Sequence, residues 1–211
     1  MNLPVGVILA GGQATRMGGG DKGRLMLGQQ SLLEHVIDRL RPQVSSIILN
    51  ANGPKERFSD LNFPVVADSL HGYAGPLAGV LAGLDWAFEN GAEFIVSVAA
   101  DTPFFPEDLV DRFLKEARGM ETPLVLAATA GEAGRIWRQP TFGLWPVALR
   151  QDLRKNLENG LRKVVLWTDQ HRGREAIFET DVIDPFFNVN TPEDLLEAQG
   201  LWQQDDLGEN S

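Results

Sequence analysis

Short apolar runs alternate along the chain with stretches in which apolar residues recur every three or four positions. The runs Val5-Gly6-Val7-Ile8-Leu9, Ile47-Ile48-Leu49, Val65-Val66-Ala67 and Phe94-Ile95-Val96-Ser97-Val98-Ala99 are continuous, the pattern of strands buried on both faces. Residues 123–128 and 141–145 read as further strands, and Ala176-Ile177-Phe178 as a short one. Between them lie helical periods. In residues 31–40, Leu32, Leu33, Val36, Ile37 and Leu40 share one face, and Ser31 with Glu34 forms a capping box. Residues 77–88 place Leu77, Val80, Leu81, Leu84 and Phe88 inward. Pro106 opens a helix whose apolar face is Leu109, Val110, Phe113 and Leu114. Residues 153–166 are helical in pattern apart from Gly160. Thr191 reads as an N-cap, with Pro192 in the first turn and Asp194 completing the box.

Strands that alternate with amphipathic helices predict an α/β protein: a mostly parallel sheet flanked by helices on both faces. No repeat, linker or low-complexity segment divides the chain. The expectation is a single domain over residues 1–202, followed by a polar, acidic, disordered tail at 203–211. Parallel sheets bind ligands at the carboxyl ends of their strands. Gly11, Asn50, Asp68 and Asp101 each fall at or just after such an end, which makes that edge the candidate site.

Composition narrows the function classes. The 211 residues are 43% hydrophobic and 23% charged, ordinary for a globular protein. The chain contains no cysteine, which excludes a disulfide framework, a thiolate zinc site and a thiol nucleophile. No apolar run approaches a membrane span, and Met1-Asn2-Leu3-Pro4 leads into a strand without the basic region of a signal peptide, so a cytoplasmic location is expected. A net charge of −10 argues against nucleic acid or a membrane as partner. A polyphosphate substrate would therefore need a local positive field. Arg16, Lys22 and Arg24, helped by a divalent metal, are placed to make one.

The field has an obvious location. The first strand runs directly into Gly11-Gly12-Gln13-Ala14-Thr15-Arg16-Met17-Gly18-Gly19-Gly20-Asp21-Lys22. Glycines expose backbone N–H groups and permit close approach, so this loop supplies donors beside two fixed cations. Gly18, Gly20 and Gly23 formally match a dinucleotide fingerprint, but that fingerprint opens a helix straight after a strand, and here more loop intervenes. A Walker loop fails because Lys22 is followed by Gly23 rather than serine or threonine. A bare surface turn needs neither so many glycines nor the cations.

The pattern Leu-Ala-Gly-Gly-x-x-x-Arg-Met-Gly-x-x-Asp-Lys over residues 9–22 resembles the nucleotidyltransferases of molybdenum cofactor maturation, and within them the guanylyltransferases. Further blocks follow in order: Asn50-Ala51-Asn52, Asp68-Ser69-Leu70, Gly75-Pro76-Leu77-Ala78-Gly79, Asp101-Thr102-Pro103, Pro140-Thr141 and Asn188-Val189-Asn190-Thr191-Pro192. Related cytidylyltransferases tend to carry Ala-Ala-Gly in place of Ala10-Gly11-Gly12 and Asp-Met-Pro in place of Asp101-Thr102-Pro103. Gln139 stands where some relatives have histidine; it can hydrogen-bond but not titrate. The resemblance implies a three-layer, Rossmann-like nucleotidyltransferase fold. It also implies transfer of GMP from GTP to the terminal phosphate of molybdenum-molybdopterin, with Mg2+ as cofactor and pyrophosphate released. A monomer that docks transiently on the molybdenum insertase or on recipient molybdoenzymes is the expectation, the oligomeric state itself being left open by the sequence.

Residue by residue, the resemblance makes Asp101 the magnesium ligand, and Arg16 and Lys22 the groups that grip the triphosphate. Such chemistry asks the protein for positioning and charge stabilisation, with the substrate phosphate as nucleophile. Leu9, Ala10, Gly11 and Gly12 lie along the nucleotide, with backbone groups as readers. Asn50 and Asp68 contact the nucleoside; a carboxylate can accept both guanine N1–H and N2–H, or serve ribose or metal instead. Asn188 and Asn190 share one side by alternation and sit near the pterin or the metal. The plainer alternatives are an N-cap at Asp101, solvated surface charge at Arg16 and Lys22, an Asx-turn at Asn50, a strand-end cap at Asp68 and a turn organised by Asn188 and Asn190. Tyr73, Gly75 and Pro76 form a loop placed to cover the pterin. His35, His71 and His171 have no metal-ligand spacing; His35 reads as a surface helix residue, and His71 falls near Asp68. The five tryptophans read as packing, with Trp137 and Trp145 the two to test for pterin stacking.

Overall fold

A computed structural model describes residues 2–11, 21–70, 72, 75–131, 134–180 and 183–208, with the backbone alone from 204 onward. The main sheet has seven strands among the described residues: β1 (Val5–Leu9), β4 (Ser46–Asn50), β5 (Val65–Val66), β6 (Phe94–Ala99), β7 (Val125–Ala130), β8 (Ile136–Pro146) and β9 (Arg174–Phe178). Their spatial order is β5-β4-β1-β6-β8-β7-β9. All run in one direction except β8, which pairs antiparallel with both β6 and β7. A two-stranded ribbon, β2 (Met26–Leu27) with β3 (Gln30–Ser31), stands apart.

Both faces of the sheet are covered, as the unbroken apolar runs predict. On one face Ile8, Val96 and Val98 pack with Leu33, Val36 and Leu40 of α1 (Leu32–Leu40) and with Leu109 and Phe113 of α3 (Leu109–Glu116). On the other, Val5, Val7 and Ile95 meet Val80, Leu81 and Leu84 of α2 (Pro76–Glu89), Leu153 of α4 (Arg150–Glu158) and Trp167 of α5 (Val164–Gln170). Burying each such aliphatic side chain contributes about 1.5–3 kcal/mol. A third cluster, formed by Leu27, Leu32, Phe104, Val189 and Ala198, docks α6 (Pro192–Gly208) beside the ribbon.

The capping box of α1 is present: Ser31 Oγ accepts from Glu34 N and the Glu34 carboxylate accepts from Ser31 N. So is the one at α6, where Asp194 Oδ2 accepts from Thr191 N at 2.9 Å and Thr191 Oγ1 accepts from Asp194 N at 3.1 Å. Elsewhere the pattern misleads. His35 is buried, not on the surface: its Nε2 lies 2.8 Å from Leu27 O and its ring packs on Trp202 of α6. Phe88 is 58% exposed at the end of α2, covered in part by the Arg150 guanidinium 4.1 Å from its ring centre. The helix expected over 153–166 divides into α4 and α5 around Gly160, whose φ of 88° ends the first. α3 begins at Leu109, three residues after Pro106. α6 continues to Gly208, into the stretch expected to fray.

One polar cluster ties the layer of α2 and α4 to the loop after β5. Asp85 accepts from Ser69 Oγ at 2.5 Å, Arg150 Nη1 at 2.8 Å and Arg154 Nη2 at 2.6 Å. Burial pushes the Asp85 carboxyl up, but these donors outweigh it and hold it below the usual range. Its stabilising effect is therefore complete above the unfolded-state pKa and is lost as pH falls through the depressed folded-state value. Asp85→Asn should cost about 2–3 kcal/mol at neutral pH by stranding two arginines. That corresponds to a Tm lower by roughly 5–10 °C, and the gap from wild type should narrow on acidification in a pH series of thermal melts.

Candidate active site

The chain leaves β1 for β4 and β5 on one side, then returns to β6 on the other. A crevice opens where strand order reverses, beyond the carboxyl ends of β1, β4 and β6. A cavity of about 460 Å³ lies there, lined by Leu9, Gly11, Asn50, Asp68, Asp101 and Asn188 among others. This size suits a small-molecule ligand.

Asp101 follows β6 by two residues and is held through its backbone: its carbonyl accepts from Val189 N at 2.9 Å. That bond brings the segment before α6 to the same edge. Lys22 arrives from the opposite direction, on a short 3-10 turn (Lys22–Arg24) whose Gly23 packs close to Leu33 and Ala100. A Cβ on Gly23 would sit 3.2 Å from Leu33 Cβ of α1, a tight contact that would need a shift of a few tenths of an ångström. Lys22 Nζ donates to Asn190 Oδ1 at 2.5 Å and stands 3.6 Å from Asp101 Oδ2. Burial pushes the Asp101 carboxyl above its ordinary range, despite the attraction of Lys22. A carboxylate this enclosed is under-neutralised by one lysine at 3.6 Å, and a further cation would relieve it.

The other group of polar residues is neutral apart from one carboxylate. Asn50, at the end of β4 and 4% exposed, donates from Nδ2 to Asp68 Oδ1 at 2.9 Å and to Val66 O at 3.2 Å. Asn52 Nδ2 donates to Asp68 Oδ2 at 2.8 Å, and Asn52 Oδ1 accepts from Asp68 N at 2.9 Å. Gly79 of α2 makes room: a Cβ there would collide with Asn50 Oδ1 and come within 2.8 Å of Leu9 Cδ2. Gly75, with φ of 122°, turns the chain into α2, whose first turn starts at Pro76, carries no acidic residue and borders the cavity. The positive end of that helix favours a negative ligand.

Strand β8 supplies the remaining wall. Its register against β7 jumps between Leu126, opposite Gly143, and Ala127, opposite Gln139, so Pro140, Thr141 and Phe142 bulge out of the ladder. Phe142 enters the core against Phe105 and Phe186, and Thr141 lines the cavity. The bulge is pinned by the buried Ser97 hydroxyl, which donates to Thr141 O at 2.8 Å and accepts from Trp145 Nε1 at 2.8 Å.

Of the residues singled out in the sequence, Leu9, Gly11, Asn50, Asp68, Asp101 and Asn188 therefore border one cavity, with Lys22 and Asn190 bonded behind Asp101. Asp101 is not a helix cap: α3 starts eight residues later, behind Asp108. Two of the proposed backbone readers are engaged within the sheet, since Leu9 O accepts from Ala100 N and Ala10 N donates to Asn50 O. Gly11 is the exposed backbone at the rim. Gly12, Arg16, His71 and Tyr73 lie outside the described residues. Arg24 does not join the lysine. It forms a two-pronged pair with Asp60 at 2.6 and 2.8 Å and donates to Arg57 O. Trp145 is buried as packing, whereas Trp137 is 54% exposed near the start of β8. Asn52 and Thr141 belong to the sequence blocks quoted above but were given no role there, and both line the cavity. Asn52 follows Asn50 by two in an extended segment, which puts both on one side, and that alternation was the available signal.

Among the described residues no group of three or more His or acidic side chains could hold a metal by itself. One buried carboxylate facing an anion-favouring cavity nevertheless fits a magnesium ion whose other ligands are substrate phosphates and water.

Residues 6–173 match the MobA-like NTP transferase domain. The molybdenum cofactor guanylyltransferase of Rhodopseudomonas palustris strain HaA2 is 47% identical over 94% of this chain and 92% of its own length. That of Nitrobacter hamburgensis is 47% identical over 93% of both chains. Among solved structures, molybdopterin-guanine dinucleotide biosynthesis protein A from Archaeoglobus fulgidus superposes with a TM-score of 0.71 at 22% identity, covering 95% of this chain and 99% of that one. The fold, the order of the motifs and these likenesses together place the chain in the family of MobA-like NTP transferase domains.

Proposed function

We propose that this protein transfers GMP from GTP to the terminal phosphate of molybdenum-molybdopterin, releasing pyrophosphate and forming the guanine dinucleotide form of the cofactor. The supporting observation in the fold is that Asp101, with Lys22 paired to it from behind, and the Asn50–Asp68 pair border one cavity at the sheet's reversal point. The relatives' names supply the base and the acceptor. A terminal phosphate oxygen of the acceptor attacks the α-phosphorus, a new P–O bond forms, and the bond to the β-phosphate oxygen breaks with its electron pair leaving on pyrophosphate. Lys22 and Arg16 hold the departing phosphates, the start of α2 adds its positive end, and Asp68 with Asn50 orients the nucleoside. Asp101 would hold magnesium, which supplies charge neutralisation at the α-phosphate and the leaving group. Asn188 and Asn190 face the acceptor side. The reading includes one nucleotidyltransferase domain over residues 1–202, acting as a monomer that docks transiently on the molybdenum insertase or on recipient molybdoenzymes.

The test is pyrophosphate release with molybdenum-loaded molybdopterin and magnesium, comparing GTP with CTP. Release with GTP alone is expected. Release with CTP would overturn the base assignment while keeping the phosphate site. GTP binding without release would make the chain a non-catalytic nucleotide module.

A further inference from the structure

Among the described residues, the side chains that hold the Asp68 carboxylate are neutral. Each oxygen accepts one amide N–H, from Asn50 and from Asn52, and the Asp68 backbone N–H returns a bond to Asn52 Oδ1. The two-bond ring with Asn52 fixes both the position of the carboxylate and the rotation of its plane. An ionised carboxylate can accept about four hydrogen bonds; the described residues supply two, and Asp68 lines the cavity. Among the described residues no cation pairs with Asp68, which favours a ligand presenting paired N–H or O–H donors.

Asn52 is itself braced from behind. Arg57 Nη2 donates to Asn52 O at 2.7 Å, Arg57 Nη1 pairs with Asp21 Oδ1 at 2.9 Å, and Arg24 Nη2 donates to Arg57 O at 2.6 Å. Asp21 directly precedes Lys22. The bonds therefore run without a break from the residue before Lys22, through Arg57 and Asn52, to Asp68.

We infer that Asn52 is a positioning residue that sets the Asp68 carboxylate for the paired donors of the nucleoside, and that Arg57 ties this setting to the turn carrying Lys22. The inference rests on the nucleotide reading of the cavity. Guanine N1–H with N2–H and the ribose hydroxyls offer the same donor chemistry, and nucleotide analogues separate them.

The experiment is a double-mutant cycle read by calorimetric GTP binding without acceptor and by steady-state kinetics, using wild type, Asn52→Ala, Asp68→Ala and the double variant. Asn52→Ser is carried alongside, and melting temperatures confirm folding. Asn52→Ala should weaken GTP binding by about tenfold, raising KM by a similar factor with kcat within about twofold of wild type. In the Asp68→Ala background it should have no further effect. With inosine triphosphate or 2′-deoxyguanosine triphosphate, the Asn52 effect should shrink for whichever analogue lacks the donor. Equal losses in both Asp68 backgrounds, no loss at all, or an effect undiminished with both analogues would overturn the inference alone. Failure of the wild type to bind GTP would overturn the nucleotide reading and this inference with it.

Discussion

Asp101→Asn is expected to lower turnover by about 10²–10³-fold while leaving the protein at least as stable as wild type. The two halves of this expectation have one cause. Asp101 is mostly buried, and burial pushes its carboxyl up even with Lys22 3.6 Å away. Folding therefore gains little from its charge, and an uncharged side chain of the same shape removes that cost. Its backbone bond to Val189 N survives the substitution, so the segment before α6 stays in place. What is lost is the negative group that would hold a cation against the α-phosphate, and electrostatic groups of this kind are worth about 10²–10³ in rate or more. Pyrophosphate release and a thermal melt at neutral pH check both halves. A Tm several degrees below wild type would show that Asp101 serves as a structural counter-ion for Lys22.

Lys22→Met should be the next most damaging change. The methionine keeps most of the apolar stem but removes the ammonium that donates to Asn190 Oδ1 and faces Asp101. The loss falls on GTP binding and on the departing pyrophosphate together, so kcat/KM for GTP should drop about 10²–10³-fold, with KM raised and kcat lowered. Lys22→Arg should recover only part of this. The guanidinium is a wider fork than the ammonium, and the 2.5 Å contact to Asn190 leaves it little room. Steady-state kinetics at several GTP concentrations separates the two parameters. An unchanged KM would remove Lys22 from triphosphate binding.

The parts of this fold that show in the sequence are those governed by local pattern. Continuous apolar runs marked β1, β4 and β6, and Ser31 with Glu34 and Thr191 with Asp194 marked two helix starts, because both signals act over a few residues. The misreadings come from distant contacts. His35 looks like a surface residue until Trp202, from α6, closes over it. Phe88 has the right helical phase, but it lies exposed near the end of α2, where Arg150 covers the ring instead. Arg24 sits two residues from Lys22, yet the 3-10 turn directs it to Asp60. The Thr141 bulge depends on the buried hydroxyl of Ser97, forty-four positions away, and no local rule marks it. The candidate site was legible as a set of strand ends; the bonds that join those ends were not.

The bond between Lys22 and Asn190 spans 168 positions of sequence. At ordinary rates of translation, roughly 10–30 s separate the emergence of the lysine from that of its asparagine. Through that interval the β1 edge can form with neither the Asn190 contact nor the Val189 bond that places it. An incomplete nascent chain thus carries Asn50, Asp68 and Asp101 but a lysine without its Asn190 partner. The segment before α6 completes the setting of the ammonium, and a chain cut before residue 189 would lack both contacts that place Lys22.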